Sequence, residues 1–141
     1  MKFSTRTRYG VRALLDLAYH FKGKPVLVKE IAKRQKISEK YLEHIMLELK
    51  RAGFVQSISG AKGGYILAKD PAEIKLSELV EVLEGTLAPV MCVDHKSLCA
   101  EGDKCSVREV WLKVKEGIKK VLDSFTLNDL VEREKHSDKA V

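Results

Sequence analysis

The sequence predicts a mainly α-helical fold with one small β-hairpin, and three stretches carry that prediction. Residues 28–53 hold two amphipathic helical patterns separated only by Lys36-Ile37. Phe54 to Ile58 and Tyr65 to Leu67 read as strands, joined by the loop Ser59-Gly60-Ala61-Lys62-Gly63-Gly64. From Ser106 to about Ser124 apolar residues recur at three- and four-residue spacing, as in one long helix. Two helices with a tight turn, followed by a glycine-rich hairpin carrying a lysine, make the plan of a winged helix-turn-helix.

In chain order, Ser4 or Thr5 starts a first helix that runs to about Phe21, with Leu14, Leu17, Ala18 and Phe21 as its buried stripe. Arg6, Arg8 and Arg12 lie towards its beginning, and Gly23 and Pro25 end it. Val28 to Gln35 is the next helix, with Ile31 and Ala32 inward. Ser38 suits the cap of the helix after it, because a serine hydroxyl accepts from free amides of a first turn. There Leu42, Ile45, Met46 and Leu49 make one face core and leave the other free. Gly53 sits where a left-handed residue would end that helix. Asp70-Pro71 breaks the pattern after the hairpin. Leu76 to Glu84 is a short helix with Leu76, Leu79, Val80 and Leu83 inward, stopped by Gly85. Residues 86–105 show neither helical nor strand period, and all three cysteines lie there. Ser106 and Glu109 have capping-box spacing for the long helix, and Thr126 can cap a last helix through Leu130 before a charged, frayed tail. The expected organisation is a winged-helix unit over residues 1–85, a cysteine loop over 86–105, and a dimerisation helix with its tail over 106–141.

Charge is divided unevenly. Residues 1–70 carry 15 Lys and Arg against 6 Asp and Glu, whereas residues 71–141 carry 11 against 14. The basic half is the half holding the helix-turn-helix, as a phosphate-binding face requires. No apolar run approaches the ~18 residues that span a bilayer, and the start of the chain lacks signal-peptide character, so a cytoplasmic protein with reduced thiols is expected. An enzyme fits poorly. No glycine-rich phosphate loop follows a strand and opens a helix, there is no Ser-His-Asp set, and His20, His44, His95 and His136 are scattered. The Gly60-Ala61-Lys62-Gly63-Gly64 run leads into a strand instead.

Nearly the whole chain resembles the IscR-like family of bacterial winged-helix regulators, the IscR/NsrR/CymR group. The resemblance rests on residues 3–18 (FSTRTRYGVRALLDLA), on the ISEKYLE start of the second helix, on the wing SGAKGGY and on LSELVEVLEG. It implies a homodimeric transcription regulator that binds a double-stranded DNA operator, and it places Ser38, Lys40, Tyr41, Glu43 and His44 at the groove end of the recognition helix. Residues of those types fit the task. Glu43 can accept from a cytosine amino group, His44 can donate or accept, and Lys40 and Tyr41 suit phosphates. A core role for Tyr41 stays open. In the wing, Gly60, Gly63 and Gly64 permit close backbone approach and Lys62 supplies charge at the tip. Ser59 stands where the family often has an arginine.

Cys92, Cys99 and Cys105 are spaced too widely for the paired knuckles of structural zinc, and three thiols on one loop suit an iron–sulfur cluster. Packing as small inert hydrophobes is the alternative. The resemblance favours the cluster, because cluster-binding members carry three cysteines in this loop; 2Fe–2S is expected ahead of 4Fe–4S. It also shows departures. Arg108 stands where one group of relatives has a histidine ligand, and Arg8 where another recruits an aspartate. His95, Asp94, Glu101, Asp103 or a thiol from solution remain as fourth ligands. A metal-free thiol redox regulator of the same fold, or a winged-helix adaptor that binds protein, are the competing functions. The long amphipathic helix is expected to pair with a second copy in a homodimer, with packing on its own domain as the alternative.

Overall fold

Helix ends in this chain are set by local chemistry, and they fix where the exposed faces point. The computed structural model describes residues 2–95 and 104–137. Its elements run α1 (Thr5–His20), α2 (Val28–Gln35), α3 (Glu39–Arg51), β1 (Val55–Ile58), β2 (Gly64–Leu67), a 3-10 turn (Pro71–Glu73), α4 (Leu76–Glu84), α5 (Met91–Asp94), α6 (Ser106–Asp123) and α7 (Leu127–Lys135).

Ser4 caps α1 by accepting from the Thr7 amide at 3.1 Å. Phe21, expected on the buried stripe, is instead exposed, because the backbone leaves helical geometry at that residue and swings the ring outward. Lys36 takes the left-handed conformation (φ 56°) that lets α2 turn into α3. Ser38 then caps α3 through the Tyr41 amide at 3.3 Å. At the far end of α3 the Gly53 amide donates to the Lys50 carbonyl at 3.0 Å and the Phe54 amide to the Leu49 carbonyl at 2.9 Å. That is a Schellman ending, with Gly53 at φ 86° and Phe54 and Leu49 both buried beneath it.

β1 and β2 pair antiparallel, from Val55 opposite Leu67 to Ile58 opposite Gly64. The hairpin is seated on the body by a bridge between Val26 and Tyr65, with amide–carbonyl distances of 2.9 and 2.8 Å. Inward residues of α1, α2, α3, α4 and α7, among them Leu14, Leu17, Ile31, Leu42, Ile45, Met46, Leu49, Leu79 and Leu127, make one fully buried core. Burial of each such side chain contributes about 1.5–3 kcal/mol.

Three sequence expectations change in the carboxyl-terminal half. Met91–Asp94 is a helical turn inside the stretch that has no period, too short to register as one. Cys105, not Ser106, occupies the N-cap of α6, and no side chain caps it. The reciprocal capping box forms one helix later, where the Thr126 amide donates to Asp129 at 2.8 Å and the Asp129 amide to the Thr126 hydroxyl at 3.1 Å. With that start α7 continues past Leu130 to Lys135, because Leu127 and Val131, one turn apart, both face the core.

The start of α1 is tied to the end of α4. Glu84 accepts from the Thr7 hydroxyl and from the Ser4 amide and hydroxyl, both at 3.1 Å. Burial pushes the Glu84 carboxyl up, but those hydrogen bonds and the charge of Arg6 outweigh it and hold it below the ordinary glutamate value. A depressed carboxyl stabilises the fold above its unfolded value, about 4.3, and loses that contribution as pH falls through its folded value. Glu84→Gln is therefore expected to be less stable than wild type at pH 7. The gap should close in urea unfolding curves taken at progressively lower pH, below about 4.

Candidate functional site

Lys40, Glu43 and His44 are exposed on one side of α3, opposite Leu42, Ile45, Met46 and Leu49, and Ser38 is exposed at its N-cap. Tyr41 stands between the two faces. It is half-buried at the margin of the core, and its ring meets Tyr9 edge-on with centroids 6.0 Å apart. On the hairpin, burial and then the Glu43 charge raise the Tyr65 phenol above its ordinary value.

The wing loop places Ser59, Gly60 and Lys62 in solvent and folds Gly63 inward. A Cβ on Gly63 would lie 2.2 Å from the Ile58 carbonyl oxygen. Gly64 has φ 141°, and a Cβ there would lie 2.6 Å from the carbonyl oxygen of Val26, the residue on which the hairpin sits. The paired glycines are thus a requirement of turn and seat, and they present Lys62 outward at the tip.

Beneath α3 runs a polar network that the periodicity did not reveal. Asp16 is 0% exposed. Its carboxylate accepts from Arg34 Nε at 3.0 Å, from Arg34 Nη2 at 2.7 Å and from Gln35 Nε2 at 2.9 Å. The Asp16 hydrogen bond, opposed by burial and helped by its charge, raises the Arg34 guanidinium further. Gln35 in turn accepts from Arg12, at 3.1 Å on its side chain and 2.5 Å on its backbone carbonyl. The signal in the sequence was an aspartate set between Leu14 and Leu17, in the middle of a buried stripe.

Of the three cysteines, Cys92 lies in α5 and Cys105 at the start of α6, both half-buried free thiols. Cys99 lies outside the described residues, as do Glu101 and Asp103. Arg108, one turn into α6, donates to the Cys92 carbonyl at 2.9 Å and the Val93 carbonyl at 3.2 Å. Asp94 accepts from Lys115 at 2.6 Å and from the Thr86 hydroxyl, and those contacts lower its carboxyl below the ordinary aspartate value. Asp94 is thereby occupied, whereas His95 is exposed at the end of α5. No group of three potential metal ligands exists among the described residues. The two described donors are soft, unpaired thiols on elements that Arg108 clamps together, a donor type that fits an iron–sulfur group.

α6 joins the body along one side only. Lys119 pairs with Glu81 at 3.2 Å, Asp123 accepts from Ser77, and the Leu76 amide donates to the Phe125 carbonyl at 3.0 Å. Part of the apolar stripe faces away: Val107 and Val110 are each 53% exposed and Val121 60%, whereas Val114, Ile118 and Leu122 are half-buried. With Phe3, the residues Val114, Gly117, Ile118, Val121 and Leu122 line an apolar groove along it.

A polar-faced second helix, a lysine-tipped hairpin and a basic amino-terminal half define a winged-helix protein of the transcription-regulator class. The model of the Rrf2 family, described as iron-dependent transcriptional regulators, matches residues 3–133, and the chain belongs to that family. It is 42% identical over 131 residues to the Rrf2 protein of Nitratidesulfovibrio vulgaris, covering 93% of this chain and 87% of that one. Among solved structures it is similar to T. potens IscR (TM-score 0.81, 43% identity, 100% and 93% of the two chains). It is also similar to CymR, the global cysteine regulator of B. subtilis (TM-score 0.79, 38% identity, 94% and 98%).

The Arg108 clamp has a measurable consequence. A hydrogen bond from a charged donor contributes about 1.5–3 kcal/mol when buried and less at a partly open site. Arg108→Ala should therefore speed amide exchange at His95, whose amide closes α5 onto the Met91 carbonyl, by about tenfold. Exchange in the α1 and α3 core should be unchanged in the same spectra.

Proposed function

We propose that this Rrf2-family regulator works as a homodimer on a double-stranded DNA operator, with α3 in the major groove and the wing beside it. Cys92, Cys99 and Cys105 hold an iron–sulfur cluster that controls binding, 2Fe–2S ahead of 4Fe–4S. The observation that carries the reading is the exposed row Ser38, Lys40, Glu43 and His44, flanked by Lys62, on the basic half of the chain. Glu43 and His44 read base edges; Lys40, Tyr41 and the wing residues Ser59, Gly60, Lys62, Gly63 and Gly64 follow the backbone. The unpartnered stripe of α6 pairs with a second copy, setting two α3 helices about 34 Å apart for half-sites one turn apart. No described helix is long and apolar enough to cross a membrane, in keeping with work on DNA in the cytoplasm.

When bound, the cluster supplies iron–thiolate bonds that answer to redox state or nitric oxide. What the chain itself supplies is coupling. Arg108 and the Lys115–Asp94 pair fasten the Cys92 turn to α6, and the Lys119–Glu81 and Ser77–Asp123 contacts fasten α6 to α4. A change at the thiols is then passed to the helix that sets the spacing of the two reading heads. A metal-free thiol switch would use the same coupling. The likeness to a cysteine regulator and the two free thiols keep it as the second reading.

Anaerobic purification with iron and sulfide assay separates the two. Visible thiolate-to-iron absorption that Cys92→Ala abolishes is the expected result, and colourless, iron-free protein after reconstitution would leave the thiol switch. Sedimentation at micromolar concentration should show a dimer, and Val110→Glu a monomer. On DNA, Glu43→Ala should change the preferred base at one operator position by about 1–3 kcal/mol. Lys62→Ala should instead weaken cognate and random duplexes alike, and reduce the salt slope by about 1. Equal losses on both duplexes for both variants would contradict that division.

A further inference from the structure

The arginines of the amino-terminal half differ in what holds them. Arg6 is paired with Glu48, and Arg34 is paired with the buried carboxylate of Asp16. Arg12 is held just as firmly, but by neutral acceptors only. Its Nε donates to the Gln35 side chain, its Nη2 donates to the Gln35 backbone carbonyl, and its guanidinium lies 5.4 Å over the Tyr9 ring. Its charge is therefore fixed in place and not cancelled. Gln35 cannot swing away, because its amide nitrogen is bound to Asp16 in the interior.

The place where this fixed charge stands matters. Gln35 is the last residue of α2, directly before the Lys36 turn, and Tyr9 packs edge-on against Tyr41 in the first turn of α3. Arg12 is exposed beside the amino-terminal end of the recognition helix, the end a helix-turn-helix points at the duplex. Of the five N–H donors of a guanidinium, two are engaged by Gln35, which leaves donors of the planar fork for a phosphate oxygen. An arginine pre-set in this way loses less side-chain freedom on contact than the lysines around it.

We infer that Arg12 is a backbone-phosphate contact of the DNA-binding face, held in position by Gln35 and, through Gln35, by the buried Asp16. The inference rests on the DNA reading above and adds a residue outside α3 and the wing.

The test is the salt dependence of operator binding by the full-length protein, measured for wild type, Arg12→Gln, Arg12→Lys and Lys62→Ala. Loss of one phosphate contact lowers the magnitude of the slope of log K against log salt by about 0.9, and affinity at 0.1 M salt by about tenfold, on cognate and random duplex alike. Arg12→Gln is expected to show both losses. Arg12→Lys, which keeps the charge without the fork, should recover the slope and only part of the affinity, a pattern that simple misfolding does not produce. If Arg12→Gln keeps the wild-type slope while Lys62→Ala lowers it, the Arg12 assignment is wrong and the DNA reading stands. If wild type itself shows no salt-dependent binding to any duplex, both are wrong.

Discussion

A carboxylate with no access to solvent must be met by donors from its own fold, and Asp16 takes all of its donors from the next helix. Arg34 and Gln35 supply three short contacts, so the last turn of α2 can occupy one position against α1 and no other. Removing one partner of such a buried pair costs about 3–5 kcal/mol, much more than the net gain of forming it, which makes the network a device for geometry more than for stability. The geometry it fixes is the departure of α3. Gln35 precedes the left-handed Lys36, and the angle of that turn sets where the Ser38–His44 row faces. The apolar core could tolerate a small rotation of α3 by repacking; a bidentate ion pair next to the turn does not.

The remaining elements divide by how they are attached. α4 and α7 are bound into the same core as α1, through Leu79, Leu83, Leu127 and the Glu84 contacts at the start of α1. α6 is attached to α4 in part by polar pairs, while Val107, Val110 and Val121 stay in solvent. Exposed apolar residues along one helix are what soluble proteins commonly cover with a partner, and this is the support for the proposed dimer. The sequence pattern alone left two choices for this stripe. The described residues divide it: Val107, Val110 and Val121 are exposed, whereas Val114, Ile118, Leu122 and Phe125 are half-buried.

The elements built on strong periodicity were legible in the sequence. α2 and α4 begin and end where spacing and Gly85 put them, and the caps at Ser4, Ser38 and Thr126 are read from single residues with a known hydrogen-bonding habit. What stayed hidden has a physical cause in each case. A four-residue helix such as α5 has no period to detect. The Ser106/Glu109 spacing is a real capping pattern, but Cys105 already sits at the cap, and spacing cannot say which residue is the first to leave the helix. The end of α7 looked like tail because only charged residues follow Val131 up to Lys135. The Asp16 network leaves no trace in apolar spacing, because its partners come from another helix 18 and 19 residues away. Exposure of the α3 face followed directly from the pattern of Leu42, Ile45, Met46 and Leu49.

Arginine at position 108 carries the last step. It cannot ligate iron, yet it is not idle: its planar fork binds two consecutive carbonyls of the Cys92 turn from the first turn of α6. The protein therefore pre-forms, with its own donors, part of the arrangement in which Cys92 and Cys105 stand. Pre-forming has an energetic consequence. A group bound at the thiols shifts the conformation of α6 only by the difference in its affinity for the clamped and released turn, and a turn already clamped offers a smaller difference on that side. Under the proposed switch, the effective signal would be release of the clamp, through loss of the Arg108 and Asp94 contacts, more than its formation. Release would free α6 from α5 while its Glu81 and Ser77 contacts still hold it to the winged-helix body, so the change is confined to the dimer-facing side. In the proposed dimer, such a change would reach the α6 side while the Asp16 network keeps α1 and α2 in place.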